Sequence, residues 1–300
     1  MTSISRKEWL AKRRELITAS DVAAILGFDD RAGRSPLEVF AAKKTGKNLP
    51  DNDRILFGRE YELGTAAIYA HKTGRAVRDI GSTRLTMHPN IPWLGATLDR
   101  VTWPLDADPE IDHGHPLELK YIDDFRKIAE FTDGDCPLWL QIQLQIQIAC
   151  HGALLGSWAA KIPGSFAYGD LDRNDGFLES TIPLLEDFRR RLREDDPPPV
   201  SSPRDLAPIK KLFPLDSGET KQLYDTVLGV VNEWEAAKID VKAVTDKAER
   251  LEAEIRYVLG SATFGILPDG TMVTLKTTEK KGYTVDYPPT SYRTLRRVKI

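Results

Sequence analysis

Apolar positions across residues 7–26 recur at helical spacing, with Trp9 and Leu10 followed by Leu16 and Ile17. Ser20-Asp21 stands where a helix cap is expected, ahead of Val22-Ala23-Ala24-Ile25-Leu26 and a stop at Gly27. Ser35-Pro36-Leu37-Glu38 predicts another start, with Ser at the cap and Pro in the first turn. Its helix should run through Phe40 to about Lys44 and end near Gly46. Residues 55–73 predict a third helix, closed by Gly74. The period then changes. Residues 77–87, 93–103 and 116–122 are predicted strands separated by Pro, Gly and Asp clusters, with a polar hairpin loop at 106–114. The run Gln141-Ile142-Gln143-Leu144-Gln145-Ile146-Gln147-Ile148 fits a strand by periodicity alone. Residues 155–162 predict a further strand and 178–193 an amphipathic helix. Strands with flanking helices imply a mixed α/β core.

Asp195-Asp196-Pro197-Pro198-Pro199 ends that unit, and the prolines through Pro203 predict a stiff linker. The expected domains are therefore 1–196, a linker at 197–215 and a final unit at 216–300. The final unit opens on a heptad seam. Leu223, Val227, Val230, Trp234, Ala237, Val241, Val244, Ala248, Leu251, Ile255 and Val258 alternate steps of four and three. Asp216 with Glu219 forms a predicted capping box and Gly260 a stop. At 1.5 Å per residue this helix would be roughly 60 Å long. A Pro268-Asp269-Gly270 turn should join two short strands near the C-terminus.

Composition narrows the function classes. The 300 residues are 41% hydrophobic and 29% charged, as in an ordinary globular chain. A formal net charge of −3 excludes a polycation, so any field for nucleic acid must be local. Cys136 and Cys150 are the only cysteines, which excludes a disulfide framework and a cysteine-rich zinc site. No stretch reaches the roughly 18 apolar residues of a membrane span, and the N-terminus does not read as a signal peptide. The expected compartment is a reducing cytoplasm. The five histidines show no metal-ligand spacing, and His113 and His115 fall in a predicted loop, where solvent exposure is expected. Trp93, Trp139 and Trp158 are expected in the core.

The chemistry concentrates at Leu117-Glu118-Leu119-Lys120. Alternation on a strand puts Glu118 and Lys120 on one face. Asp99 closes the apolar run before it. Neighbouring strands can thus present two carboxylates and an ammonium to one point, which suits a divalent ion and an attacking water for phosphodiester cleavage. On its own, a Glu-x-Lys pair on an exposed strand is a solvated face.

Five segments carry a resemblance, in order: residues 13–27, Gly58-Arg59-Glu60-Tyr61-Glu62 running to Gly74, Leu94-Gly95-Ala96-Thr97-Leu98-Asp99, Leu117-Glu118-Leu119-Lys120, and Gln143-Leu144-Gln145-Ile146-Gln147 running to His151-Gly152. The chain resembles the lambda-exonuclease-like (YqaJ) viral recombinase family of the PD-(D/E)xK nucleases, over roughly residues 9–193. The resemblance implies a restriction-endonuclease-like core. It makes Asp99, Glu118 and the Leu119 carbonyl ligands of Mg²⁺ or Mn²⁺. Lys120 would orient and help deprotonate the attacking water, and Glu62 would hold metal-bound water. Gln143 would be the active-site glutamine, on a helix. Arg13 and Ser20 would grip the 5′-phosphate of the substrate, the hydroxyl adding to a helix N-terminus.

Other assignments of these roles remain open at this level. Counting from Trp139 gives Gln141 in place of Gln143; Lys12 and Arg14 compete with Arg13, and Glu60 with Glu62. Ser20 can serve as a cap only. Asp21 is a lesser candidate. Arg100 stands where many relatives have glycine, Tyr121-Ile122 where Cys-Pro is frequent, and the loop between Asp99 and Glu118 is long.

The resemblance implies a Mg²⁺-dependent deoxyribonuclease digesting linear double-stranded DNA from free 5′ ends. It would leave 3′ single strands for a single-strand annealing protein, and a ring-shaped homo-oligomer occurs in the family. The alternatives are an endonuclease of restriction or repair type, a catalytically silent DNA-binding subunit and, remotely, a sugar hydrolase. A basic tail (Lys276, Lys280, Lys281, Arg293, Arg296, Arg297 and Lys299 against Glu279 and Asp286) reads either as a solvated edge or as a duplex-guiding surface.

Overall fold

Ser5 caps the first helix, α1 (Arg6–Glu15), through a reciprocal pair with Glu8. The computed structural model describes residues 5–29, 31, 34–46, 53–81, 83–110, 112–131, 134–282 and 290–298. A short strand, β1 (Ile17–Thr18), follows, and α2 spans Ala19–Ile25. Helical spacing across 7–26 is therefore broken by two extended residues. The cap of α2 is Thr18, not Ser20: Asp21 accepts from both the Thr18 N–H and its hydroxyl. Thr18 already has the extended backbone a cap requires, so Ser20 lies inside the first turn. Ser35 caps α3 (Pro36–Thr45), and Gly46, at φ 67°, ends it as expected. The third predicted helix is α4 (Asp53–Thr73).

The strands are β2 (Val77–Arg78), β3 (Leu85–Met87), β4 (Leu94–Thr97), β5 (Arg100–Thr102) and β6 (His115–Tyr121). The predicted strand over 93–103 is in fact two. β4 pairs with β1 and β3 in one sheet, while β5 belongs to a second sheet of order β2-β5-β6-β7-β8. Leu98-Asp99 is the step between the two sheets. β6 lies antiparallel to β5 and parallel to β7 (Leu155–Ile162). The edge strand of that sheet, β8 (Ser165–Asp172), has no counterpart among the sequence expectations.

Helix α5 (Leu138–His151) occupies the stretch whose alternation suggested a strand. Eleven of its fourteen residues are buried, so no polar face survives to give a 3.6 period. It packs against β4, β6 and β7. Helix α4 packs against β6 and β7, where Ala66 and Tyr69 meet Leu117, Leu119 and Ala159. Odd residues of β6 thus serve the α4 side, which leaves Glu118 and Lys120 for the α5 side. Trp93, Trp139 and Trp158 are in the core.

His115 departs from expectation. It begins β6, is 3% exposed, and its Nε2 lies 2.8 Å from Ser157 Oγ. Ser157 in turn donates to Asp170, which Arg75 grips with two bonds of 2.7 Å. Antiparallel pairing with Thr102 of β5 places His115 in the sheet, off the loop.

Helix α6 (Asp175–Glu194) packs against α2, α3 and α5. Beyond it, the stretch expected as a plain proline-rich linker contains a 3-10 turn (Pro203–Asp205) and α7 (Leu206–Leu212), which packs on α3. Asp205 is fully buried. It accepts the Ser35 hydroxyl at 2.5 Å and the Ser201 and Ser202 N–H groups at 2.8 and 3.0 Å. Two compact units result, Met1–Pro214 and Leu215–Ile300.

In the second unit α8 runs from Asp225 to Leu259, about 52 Å at 1.5 Å per residue. It begins after Tyr224 with no side-chain cap, so the predicted Asp216–Glu219 box is not formed; Ser217 bonds Glu219 instead. Gly260 ends the helix, and β9 (Phe264–Ile266) pairs antiparallel with β10 (Met272–Thr274). Of the basic tail, Arg297 pairs with Glu235 at 2.8 Å, while Asp286 and Lys299 lie outside the described residues. No described helix is long and apolar enough to cross a membrane.

Candidate active site

A cleft of about 390 Å³ in the first unit is lined by Arg13, Ser20, Glu62, Asp99, Glu118, Lys120 and Gln143. Six elements or junctions of the chain therefore deliver side chains to one cavity. Glu118, 2% exposed, is its centre. Lys120 Nζ donates to Glu118 Oε1, and Gln143 Nε2 donates to the same oxygen at 2.6 Å. Gln147 Nε2 donates to Glu118 Oε2 and also reaches the Thr97 carbonyl at 3.3 Å.

The helical register separates the glutamines. Gln143 and Gln147, four apart, share the face toward Glu118. Gln141 instead bonds Asp135 and the Cys136 carbonyl, and Gln145 the Asp172 carbonyl. Gln141 is thereby placed away from the cleft. Gln147 was not among the expected site residues, although its spacing from Gln143 was the available signal.

Asp99 sits at the step between the sheets, where its Oδ2 accepts the Leu119 N–H at 2.8 Å. Burial holds its carboxyl well above the usual range, and the nearby Glu118 charge pushes the same way; Lys120 opposes both. Glu62 is raised too, chiefly by burial, with Arg100 pulling it back. Arg100 Nη1 lies 3.2 Å from Glu62 Oε1 and 2.5 Å from the Asp99 carbonyl. Arg100 is buried beside the Glu62 and Asp99 positions. Glu60 is exposed.

At the other end, Arg13 Nη2 donates to Ser20 Oγ at 2.8 Å and to Thr18 Oγ1 at 3.4 Å. Its guanidinium stacks 4.5 Å above Trp9, whose own indole N–H reaches Thr97 Oγ1. Arg14 points elsewhere, to the Lys43 carbonyl. Asp21 is a structural ion: burial disfavours its charge, but Lys43, Arg13 and Arg34 hold it down at about 2.

The groups able to hold a divalent cation are the Asp99 and Glu118 carboxylates with the Leu119 main-chain carbonyl. Among the described residues no three His, Cys, Asp or Glu side chains converge, so carbonyl oxygen and water must complete any shell. Two observations fit such an ion. Desolvation and then the Glu118 charge raise the Asp99 carboxyl, a strain a dication relieves. The Gln143 and Gln147 Oε1 atoms are also buried with no hydrogen-bond partner.

Comparison with known proteins agrees with this architecture. The Bacillus subtilis (strain 168) protein described as uncharacterized protein YqaJ is 21% identical over 275 residues, covering 89% of this chain and 82% of that protein. The alkaline exonuclease LHK-Exo of Laribacter hongkongensis superposes with a TM-score of 0.50 at 22% identity, covering 63% of this chain and 94% of that one. Its complex with dAMP gives 0.51 at 23% identity, with the same coverage. The mixed sheet flanked by helices is thus the fold of that exonuclease. Residues 8–154, just under half of the chain, match the YqaJ-like viral recombinase domain, and in that stretch the chain is similar to that family.

Proposed function

We propose that the first unit is a metal-dependent deoxyribonuclease, acting as a 5′→3′ exonuclease on linear double-stranded DNA. The observation that carries this reading is the single cleft that joins Asp99, Glu118, Lys120 and Gln143 to the Arg13–Ser20 pair. The family match over residues 8–154 and the fold shared with an alkaline exonuclease support it.

Asp99, Glu118 and the Leu119 carbonyl would hold Mg²⁺ or Mn²⁺, which when bound supplies an electrophile for the scissile phosphate and acidifies water. Lys120 orients that water and takes part in its deprotonation. Glu62, a carboxyl raised by burial, accepts a hydrogen bond or proton from water at the cleft floor. Gln143 and Gln147 hold the Glu118 carboxylate with both oxygens fixed. Arg13 offers its remaining donors to a terminal 5′-phosphate, steadied by Trp9 and Ser20. The 3′ strand left behind suits a single-strand annealing protein, and a ring of subunits would retain the duplex.

The test uses an end-labelled linear duplex with Mg²⁺, with and without a 5′-phosphate, beside a covalently closed circle. Loss of label from 5′ ends, an intact circle and no loss with Asp99→Ala are expected. Arg13→Ala should lose the preference for phosphorylated ends. Cutting of the circle would replace this reading by an endonuclease.

A further inference from the structure

Helix α8 carries most of its apolar seam in the open; Val227 and Trp234 are half-buried, with Lys238 over the Trp234 ring. Counting Val227 as position a, the a positions are Val227, Trp234, Val241, Ala248 and Ile255. The d positions are Val230, Ala237, Val244, Leu251 and Val258. None is buried; Val241 is 67% exposed, Val244 68% and Val258 84%. A strict 3.5-residue period kept over more than four heptads is the pattern of a coiled coil rather than of a helix lying on a globular core.

The flanking charges choose the partner. Position g holds Thr226, Glu233, Asp240, Lys247 and Glu254; position e holds Val231, Lys238, Thr245, Glu252 and Leu259. In parallel, in-register chains each g residue meets the e residue five positions on in its neighbour. That sets Glu233 against Lys238 and Lys247 against Glu252, and sets Asp240 against Thr245 and Glu254 against Leu259. Two pairs attract and none repels, on each side of the seam. Glu252 now forms only an exposed pair with Arg256, which is readily exchanged.

A second observation is independent of the pattern. Arg297 of the tail docks on Asn232 and Glu235, positions f and b. These lie on the face away from a and d, so that docking leaves the seam clear.

We infer that α8 associates with α8 of a second copy of this chain as a parallel, in-register coiled coil, tying the nuclease units of two or more chains together. The inference does not rest on the proposed activity. Asp99→Ala should abolish cleavage and leave association unchanged.

The test is sedimentation of the full chain over a concentration series. Val241→Asp with Val244→Asp should yield monomers. Glu233→Lys with Lys247→Glu should weaken association at least tenfold, and adding Lys238→Glu with Glu252→Lys should restore it. Ala237→Cys should oxidise to a covalent dimer, since only parallel in-register chains bring that residue against itself. A monomeric wild type, an oligomer indifferent to the two aspartates, a failed charge restoration or no Ala237→Cys cross-link would each overturn the inference.

Discussion

Arg100 reaches back over its own chain to hold Glu62, 3.2 Å from Nη1 to Oε1, while the same nitrogen donates to the Asp99 carbonyl. One side chain therefore fixes both the helix-borne carboxylate and the strand junction that presents Asp99. Burial raises the Glu62 carboxyl and Arg100 is the chief opposing charge. In Arg100→Ala the Glu62 carboxyl should rise further, and the acid limb of kcat/KM should move to higher pH. Loss of a charged hydrogen bond should also cost about 1–3 kcal/mol of stability. A pH–rate profile identical to wild type would show that Glu62 takes no proton.

Asp99, half-buried, and Glu118, buried, bring two carboxylates together with one ammonium. In EDTA, Asp99→Asn should melt no lower than wild type, because it removes a charge that burial and Glu118 disfavour. Magnesium should raise the wild-type Tm and leave the variant unchanged. At a hundredfold excess over Kd the gain is about 2.7 kcal/mol. Equal magnesium shifts in both proteins would place the ion elsewhere.

Gln147 is 1% exposed and supplies one of the donors to Glu118. Gln147→Ala should cost about 1–2 kcal/mol by removing that bond. Because it acts through Glu118, the magnesium needed for half-maximal rate should rise several-fold, with a smaller fall in kcat. Titration of magnesium against rate distinguishes this from a purely structural role, which would leave the half-maximal concentration unmoved.

His115 gives the fold a pH dependence remote from the cleft. Burial pushes its imidazole down to about 4, with Arg75 and His151 adding to the effect and Asp170 opposing it. The unfolded chain binds the proton near the ordinary value of about 6.5, so it holds more protons than the folded one between those limits. The contribution is therefore complete above about 6.5 and lost as pH falls toward 4. His115→Gln should flatten that part of the Tm–pH curve. An unchanged slope would assign acid instability to other groups.

Much of this was legible from local pattern. Ser35-Pro36 and Gly46 bound α3 because caps and left-handed stops are properties of single residues. The alternation at 117–120 faced Glu118 and Lys120 together because strand geometry leaves no other choice. The errors share a different cause, which is tertiary. Helix α5 alternates like a strand because its glutamines find partners on several sides, at Glu118, Cys136 and Asp172, so even its polar residues are buried. Thr18 displaces Ser20 as a cap because β1 pairs with β4, which holds that residue extended. β8 is a half-exposed edge strand, with too few buried positions to stand out. Arg100 stood out against the family pattern, and its partners, Glu62 on α4, Asp79 and the Asp99 carbonyl, come together only in the folded chain.

The Ser35–Asp205 bond joins groups 170 positions apart. A nascent chain emerging from the ribosome cannot form it until all the strands and six of the helices of the first unit have already appeared. Until then the α3 cap hydroxyl waits without this acceptor, and the surface beneath α7 stays wet. Final locking of the first unit is thus deferred until Asp205 has been made, near the end of that unit. A clone cut at residue 196, where the prolines invite it, would preserve every cleft residue yet produce a half-latched body prone to clumping.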